Sequence, residues 1–277
     1  MNKIKRILFN KGSCASYTLL TVIFTIVPED CFLLFKLNSQ WSDTVNILIN
    51  KSAICVLAFL VCNLFYFTYH KRRKKVLITD ASTYSIQIEY GDLTKINEGK
   101  VVINFDECYT LKVGEAPADI KPNSVCGQYL TQKPISDNEM QNLINDSGVK
   151  PENSKSKYNS QVRYKPGTLI PRNNDLLMAF TKLDKNGLGT LTYDEYIECL
   201  NYLWKQIDLR HGTSDVFIPI LGSKITRFNR ELSQQQLLDI IIASYRLSPN
   251  KMKIPYTLHI VCQSREGFSI NDAFGAD

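Results

Sequence analysis

The feature that most constrains this chain is an uncharged stretch of 18 residues, 52–69, followed at once by the basic run HKRRKK at 70–75. An α-helix rises about 1.5 Å per residue, so such a stretch spans roughly 27 Å, close to the thickness of the hydrocarbon core of a bilayer. Lysine and arginine accumulate on the cytoplasmic side of membrane spans. The sequence therefore predicts a membrane helix that leads into a cytosolic domain.

A second apolar stretch, 13–27, precedes the first and contains 15 uncharged residues. It is short for a span, but a helix can include Lys11 because a lysine side chain can reach the interface. A cleaved signal peptide is the alternative, since MNKIKR is a basic amino-terminal region. We favour a two-helix hairpin with spans at about 8–27 and 50–69, because no small-x-small cleavage site follows. Asn63 is then expected to form a hydrogen bond between the helices rather than to line a pore.

The charge distribution separates the two parts of the chain. Residues 1–75 contain 11 Lys and Arg against 3 Asp and Glu, whereas residues 76–277 contain 22 against 24. The part beside the predicted membrane therefore carries a net charge of +8, which suits anionic lipid headgroups, while the rest of the chain carries −2. A nearly neutral soluble part argues against nucleic acid as a partner. We predict a membrane hairpin with a basic junction at 1–75 and one ligand-binding domain at 76–277.

Strand-like and helix-like segments alternate in the second part, which predicts an α/β sandwich with a mixed sheet. The polar stretch 146–165 lacks a periodic pattern and is interpreted as a mobile loop on the domain. Runs rich in β-branched and aromatic residues predict strands at 76–80, 84–90, 101–105, 168–170, 176–181, 216–221 and 256–262. Apolar residues at helical spacing, and capping residues such as Ser136 and Ser233, predict helices at 137–145, 192–209 and 231–246.

Residues 184–195, DKNGLGTLTYDE, match an EF-hand loop in part. Position 5 of the loop is Leu188, which cannot bind a cation, and the preceding segment is typical of a strand rather than a helix. An Asn-Gly turn and a capping box formed by Thr192 and Glu195 explain the same residues. We therefore keep a calcium-responsive membrane protein as an alternative and do not predict a metal site.

Two loops are candidates for binding an anion. The apolar segment 216–221 leads into Gly222 and Ser223, and a glycine there lets backbone N–H groups approach a phosphate closely. The segment 124–127, Ser-Val-Cys-Gly, is placed where a helix begins, and a helix N-terminus attracts anions. Two such loops at strand ends can hold the two phosphates of a dinucleotide-like ligand. No nucleophile or histidine–carboxylate pair is evident, and His259 is interpreted as structural.

These segments together resemble a macro domain over about residues 84–262. The family pattern is a strand, G-D-I/L-T, an apolar strand ending in Asn, a loop with glycine that opens a helix, and later an apolar strand with Pro followed by glycine and an aromatic residue. The matching residues are Gly91-Asp92-Leu93-Thr94, Val101–Asn104, Ser124–Gly127, and Ile218-Pro219 through Gly222-Ser223 to Phe228.

The resemblance implies a macro-like three-layer sandwich that binds ADP-ribose or a derivative, with the pyrophosphate between 124–127 and 222–227. The family's Asn-Ala-Ala-Asn is Asn104-Phe105-Asp106-Glu107 in this chain, and the Gly-Gly-Gly of hydrolytic members is Asn123-Ser124-Val125. These departures imply binding without turnover; a membrane-tethered ADP-ribosyl hydrolase is the alternative. The ligand-binding residues implied are Asp92, Asn104, Ser124, Val125, Cys126, Gly127, Leu221, Gly222, Ser223, Lys224, Ile225, Thr226 and Arg227.

Two predicted spans, a basic junction and a divergent macro domain resemble the membrane-anchored, two-span macro effectors of Thoeris anti-phage systems. The resemblance implies a TIR-domain partner that consumes NAD and releases an ADP-ribose-derived signal, here a histidine–ADP-ribose conjugate. It also implies a multi-pass protein of the bacterial cell membrane, with its N-terminus and macro domain in the cytoplasm. The effector would act as a homo-oligomer and would damage the membrane or arrest the cell in an abortive infection. No cofactor or metal is implied.

Overall fold

The computed structural model of the protein describes residues 10–33, 40–80, 83–223, 227–228, 231–263 and 268–275. The chain divides into two compact units, Met1–Arg73 and Lys74–Asp277. Each unit is built from its own elements and is described separately.

The described residues of the first unit form two helices, α1 (Lys11–Ile26) and α2 (Asp43–Arg72), with a 3₁₀ turn at Glu29–Leu33 between them. Within the described residues one helical segment of 27 residues, Asp43–Tyr69, is long and apolar enough to cross a membrane, and an 18-residue window of it has a mean hydropathy of 2.1. Helix α1 has 16 residues, and the start of the predicted first span lies outside the described residues. The structure therefore contains one candidate span, and the predicted pair of spans is not confirmed.

Polar and small residues hold the two helices together. The Asn10 side chain donates to Asn63 Oδ1 at 2.9 Å, and Ser13 Oγ lies 3.3 Å from the same oxygen. A Cβ atom added at Gly12 would lie 2.7 Å from the Cβ atom of Tyr66, so the helices approach too closely there for a larger residue. Small residues at close helix crossings, with side-chain amides bonding across them, are typical of helices that associate in lipid. The prediction that Asn63 bonds between helices is confirmed.

The second unit contains one mixed sheet, whose described strands have the order β1-β2-β9-β7-β3-β5-β6-β8, with β4 paired to β5. Strands β2, β9, β7, β3 and β5 run parallel. Strand β1 pairs antiparallel with β2, β4 and β6 pair antiparallel with β5, and β8 pairs parallel with β6. The strands are β1 (Lys75–Asp80), β2 (Tyr84–Tyr90), β3 (Lys100–Asp106), β4 (Leu169–Arg172), β5 (Asp175–Leu183), β6 (Gly189–Leu191), β7 (Val216–Pro219), β8 (Arg227–Phe228) and β9 (Thr257–Cys262).

Helices cover both faces of this sheet, which makes three layers. Helices α5 (Tyr193–Arg210) and α6 (Gln234–Leu247) bury their apolar faces in one core, and α3 (Val125–Gln132) and α4 (Asp137–Asp146) bury theirs in the other. Successive residues of the parallel strands enter alternate cores, which is why strands such as β3 are apolar almost throughout. The predicted α/β sandwich with a mixed sheet is confirmed.

The local signals in the sequence that set helix ends are present in the structure. Ser136 caps α4 by accepting a hydrogen bond from Glu139 N at 3.2 Å. Thr192 caps α5, and Ser233 caps α6, each in a reciprocal capping box. Asp184 accepts hydrogen bonds from the N–H groups of the following turn, and the segment before it is strand β5, not the helix of an EF-hand.

The stretch 146–165, predicted to be a mobile loop, is instead held by a buried carboxylate. Glu107, which is 1% exposed, accepts a hydrogen bond from Ser156 Oγ at 2.6 Å and lies 3.5 Å from Arg163 Nη1. It also accepts from Leu183 N at 3.1 Å, so the loop is tied to β5. A buried carboxylate needs such partners because its desolvation is costly. The sequence pattern of the loop contained no sign of this anchor.

Candidate functional site

A cleft lies where the parallel strands β2, β9, β7 and β3 end. Carboxyl ends of parallel strands form the usual ligand-binding edge of an open α/β sheet. The cleft encloses about 770 Å³ of empty space, including its open mouth. Its lining residues are Gly91, Asp92, Leu93, Asn104, Ser124, Val125, Gln128, Pro219, Ile220, Gly222, Ser223, Gln234, Val261, Cys262 and Gln263.

The N-termini of two helices meet at this cleft. Ser124 caps α3 by accepting from Gly127 N at 2.9 Å, while its own hydroxyl donates to Lys121 O at 2.7 Å. At α6, the residue after the cap is Gln234, which lines the cleft. The first N–H groups of a helix have no acceptor within the helix, and the helix dipole adds about half a positive charge at that end. The cleft therefore favours anions although its described lining contains no Lys or Arg.

The third wall of the cleft is the turn at Gly222. Its φ of +82° lies in the left-handed region, and an added Cβ atom would lie 2.6 Å from Phe228 Cζ. Only glycine fits this position without strain. The Phe228 ring packs edge-on against Tyr196 at 5.3 Å, and Tyr196 Oη donates to Leu221 O at 3.2 Å. The backbone of the turn is therefore held against buried aromatic rings and presents its other side to the cleft.

At another end of the cleft lies the carboxylate of Asp92. It caps the short 3₁₀ turn Leu93–Lys95, and its Oδ1 accepts from Thr94 Oγ1 at 2.7 Å and from Thr94 N at 3.1 Å. The hydrogen bond from the Thr94 hydroxyl is the main cause that lowers the pKa of Asp92, and it outweighs the opposing effect of burial. Asp92 is therefore ionised at neutral pH and can accept hydrogen bonds from a ligand.

A second cleft adjoins the first and shares Asn104 and Ser124 with it. It encloses about 930 Å³ including its mouth and lies over the ends of β3 and β5. Two carboxylates, Asp106 and Asp119, line it. Burial raises the pKa of Asp106, against the hydrogen bonds that it accepts from Thr110 and from Cys108 N. Two shared residues therefore connect an anion-favouring cleft with one that is lined by acidic groups.

The structure brings together six of the residues that the resemblance implied as ligand contacts: Asp92, Asn104, Ser124, Val125, Gly222 and Ser223 all line the first cleft. The loops that carry Ser124 and Gly222 thus face the same space, as a site for two phosphates requires. Three of the implied residues, Lys224, Ile225 and Thr226, lie outside the described residues, and Arg227 begins β8.

The remaining three implied residues lie behind the cleft surface. Leu221 is a core residue with 1% exposure. A Cβ atom at Gly127 would lie 2.2 Å from Lys121 O, so this glycine permits close packing of the helix start and does not contact the cleft. Cys126 is buried and borders the second cleft, and burial raises the pKa of its thiol well above the ordinary value.

Sequence reasoning missed the residues that β9 and α6 contribute. Val261, Cys262 and Gln263 line the cleft because β9 lies between β2 and β7, and Gln234 donates to Gln263 O at 3.3 Å. The strand 256–262 was predicted, but only the strand order places its end beside Gly91. These residues could have been predicted only if the sequence had shown that β9 is one of the parallel strands.

Comparison with known proteins assigns a family. Residues 86–263 match the family described as "Thoeris protein ThsA, Macro domain". The chain is similar to the Thoeris protein ThsA of Bacillus amyloliquefaciens (strain Y2), with 26% identity over 196 residues. That match covers 67% of this chain and 65% of the relative, so it spans slightly less than two thirds of the relative's length.

Solved structures that share similarity are macrodomains. An Oceanobacillus iheyensis macrodomain variant with ADPR has a TM-score of 0.45 and 11% identity, covering 69% of this chain and 91% of that one. The macrodomain of Thermus aquaticus DarG has a TM-score of 0.38 and 13% identity, covering 64% and 97%. The family match alone covers more than half of the 277 residues. The chain belongs to the family of Thoeris ThsA macro domains.

Proposed function

We propose that this protein is a membrane-anchored effector of Thoeris anti-phage defence that binds an ADP-ribose-derived nucleotide signal. The observation that carries the proposal is the convergence of two helix N-termini and the Gly222 turn on one cleft, in a chain that belongs to the ThsA macro family. Such a cleft suits a diphosphate, because uncompensated N–H groups and helix dipoles attract negative charge.

The proposed ligand lies along the cleft with its diphosphate between Ser124–Val125 and Gly222–Ser223. The adenosine half then extends toward Asp92, whose ionised carboxylate can accept from an amino group. The other ribose extends toward Asn104, which borders both clefts. A group attached to that ribose, such as the histidine of a histidine–ADP-ribose conjugate, would enter the second cleft.

We propose sensing rather than catalysis for this site. In the described lining of the two clefts there is no histidine, and the ammonium group of Lys121 donates to the carbonyl oxygens of Glu115 and Ala116 at 2.8 Å each. An ADP-ribosyl hydrolase remains the second candidate, because the Asp106 carboxyl, with its raised pKa, lines the second cleft close to Asn104. A carboxyl group of that kind can act as a general acid or base.

The proposed anchor is the helix pair of the first unit. The outer surface of α2 is apolar, with Leu57, Leu60, Leu64 and Phe65 each 59–73% exposed, as lipid-facing residues would be. We propose that α1 crosses with it, so that the N-terminus and the macro domain are both cytoplasmic. The hydrogen bond between the uncharged side chains of Asn10 and Asn63 is compatible with helices that pack together in lipid. Two helices cannot enclose a pore alone, so any pore requires a homo-oligomer.

A TIR-domain partner is proposed to supply the signal. Isothermal titration calorimetry on the full-length chain in lipid nanodiscs tests binding, with ADP-ribose, ADP and a histidine–ADP-ribose conjugate as titrants. We expect the conjugate to bind more tightly than ADP-ribose, and ADP-ribose more tightly than ADP. Absence of heat with all three would contradict the proposal.

Turnover separates the two candidate functions. The same protein incubated with an excess of the conjugate should leave it intact over many hours, as followed by chromatography. Release of free histidine or ADP-ribose in amounts well above that of the protein would favour the hydrolase. In cells, co-expression with the TIR partner should permeabilise the membrane or stop growth after infection, whereas the protein alone should not.

A further inference from the structure

The first residues after α2 are bonded to the end of β2. Helix α2 ends at Arg72, and two residues later Lys74 O accepts a hydrogen bond from Tyr90 N at 3.1 Å. Strand β1 then pairs antiparallel with β2, with Lys75 opposite Glu89. The start of β1 is therefore fixed to the carboxyl end of β2 and not to its middle.

The same end of β2 leads into the ligand cleft. Tyr90 is followed by Gly91 and Asp92, which line the cleft, and Gly91 N donates to Cys262 O at 3.0 Å. One backbone hydrogen bond and one peptide bond thus separate Lys74 from a residue of the cleft wall. A displacement of Gly91 would reach Lys74 through very few intervening atoms.

A chain of ionic contacts reinforces this connection. Lys75 Nζ lies 2.7 Å from Glu89 Oε2, and Glu89 Oε1 lies 3.0 Å from His259 Nδ1. On its other side, His259 Nε2 lies 3.4 Å from Asp215 Oδ2, and the imidazole stacks on Phe217 with ring centres 4.1 Å apart. Glu89 and His259 are each 12% exposed. Since His259 is two residues before Val261 in β9, the contacts join both strands that end in the cleft wall.

We propose that Lys74, Lys75, Glu89 and His259 form the link through which occupancy of the cleft is passed to the carboxyl end of α2. The inference rests on the proposed function, because it requires a ligand in the first cleft. A ligand shifts an equilibrium only if it binds one arrangement better than another. The arrangement in question is that of 90–92 and 261–263, and β1 is held to it by the Lys74–Tyr90 hydrogen bond and the Lys75–Glu89 ion pair.

A structural role and a coupling role predict different results for this ion pair. Lys75 is 65% exposed, and ion pairs that water reaches contribute about 0–1 kcal/mol to stability. Removing the pair should therefore change the melting temperature little. If the pair couples the cleft to α2, its removal should leave ligand affinity unchanged. It should weaken the ligand-induced change in backbone hydrogen exchange at residues 72–77.

Hydrogen–deuterium exchange on the full-length chain in nanodiscs, with and without saturating ADP-ribose, measures that response. The variants are Lys75→Gln and Glu89→Gln, which break the pair, and Lys75→Arg, which retains it. Glu139→Gln is the matched control, because it breaks the ion pair between Glu139 and Arg172 at 2.9 Å on helix α4, away from β1. Calorimetry gives the Kd of each protein in parallel.

We expect all five proteins to bind with Kd values within threefold of one another. The ligand-induced change in exchange at 72–77 should be present in the wild type, Lys75→Arg and Glu139→Gln, and at least fivefold smaller in the two pair-breaking variants. Binding without any change at 72–77 in the wild type, or an unaltered change in Lys75→Gln and Glu89→Gln, would overturn the link and leave the proposed function intact. Absence of binding in the wild type would overturn both.

Discussion

The N-cap of α3 offers the sharpest test of where the diphosphate binds. Ser124→Asp keeps an oxygen acceptor for Gly127 N, and Asp is as good an N-cap as Ser, but the hydrogen bond from the hydroxyl to Lys121 O is lost, so we expect the free energy of unfolding to fall by about 0.5–1.5 kcal/mol. The substitution adds a negative charge at the place proposed for two phosphates. The variant therefore separates ligand binding from folding.

The expected loss of affinity follows from Coulomb's law. A carboxylate about 5 Å from a phosphate charge, at an effective dielectric constant of about 40 for an open cleft, is repelled by about 1.7 kcal/mol. Two phosphate charges give about 3 kcal/mol, which salt reduces by roughly half at physiological ionic strength. The Kd for ADP-ribose should therefore rise by about 10- to 100-fold. The difference from the wild type should also shrink as salt is added.

The matched control is Ser136→Asp, the same change at the N-cap of α4, whose residues border neither cleft. Calorimetry on both full-length variants should show wild-type affinity for Ser136→Asp and the loss for Ser124→Asp. If Ser124→Asp remains folded and binds ADP-ribose with an unchanged Kd, the diphosphate does not lie at this helix end and the reasoning is refuted.

Three further predictions concern stability. Gly222→Ala should lower the free energy of unfolding, measured by urea titration, by about 2–4 kcal/mol, because Gly222 has a φ of +82° and an added Cβ atom would lie 2.6 Å from Phe228. The control is Gly148→Ala, which should cost about 1 kcal/mol, because Gly148 has a φ of +65° but an added Cβ atom would contact nothing. Equal costs for the two variants would contradict the steric argument. Asn63→Leu should weaken the helix pair by about 0.6–2 kcal/mol, measured as loss of energy transfer between labels on α1 and α2, and an unchanged signal would contradict the role of its hydrogen bonds. Burial opposes ionisation of Glu89, but hydrogen bonds from Lys75 and His259 lower its pKa below 4.5. The stability that the Glu89 carboxylate contributes is therefore present above pH 4.5 and is lost as the pH falls through the lowered pKa. In Glu89→Gln the free energy of unfolding should fall less between about pH 5 and 3 than in the wild type, and parallel pH profiles of the two proteins would exclude this contribution.

Features that depend on neighbouring residues in the chain could be predicted from the sequence. The caps at Ser124, Ser136 and Ser233 and the glycine turn at 222 are short-range signals, and each lies where the pattern placed it. All seven predicted strands are present, with ends shifted by a few residues. The two loops proposed to bind phosphate could be recognised for the same reason.

Features that depend on strand order could not be predicted in this way. The end of β9 reaches the cleft because β9 lies between β2 and β7, and no local pattern specifies that position. The carboxylate partners of His259 come from β2 and from the segment before β7, so no local pattern could show this histidine–carboxylate contact. The short strands β6 and β8, with three and two residues, carry too few side chains to show a period of two.

Under the proposed function, the common wall of the two clefts, made by Asn104 and Ser124, has a consequence for how nucleotides compete. A nucleotide that fills only the first compartment occupies the space that a longer conjugate needs, without reaching the second. Ordinary ADP-ribose and ADP would then compete with the proposed conjugate for the first cleft, and their resting concentrations would raise the concentration of conjugate that is needed to occupy both clefts. A mutation that narrows the first compartment would lower sensitivity, whereas one that improves contacts in the second would sharpen discrimination.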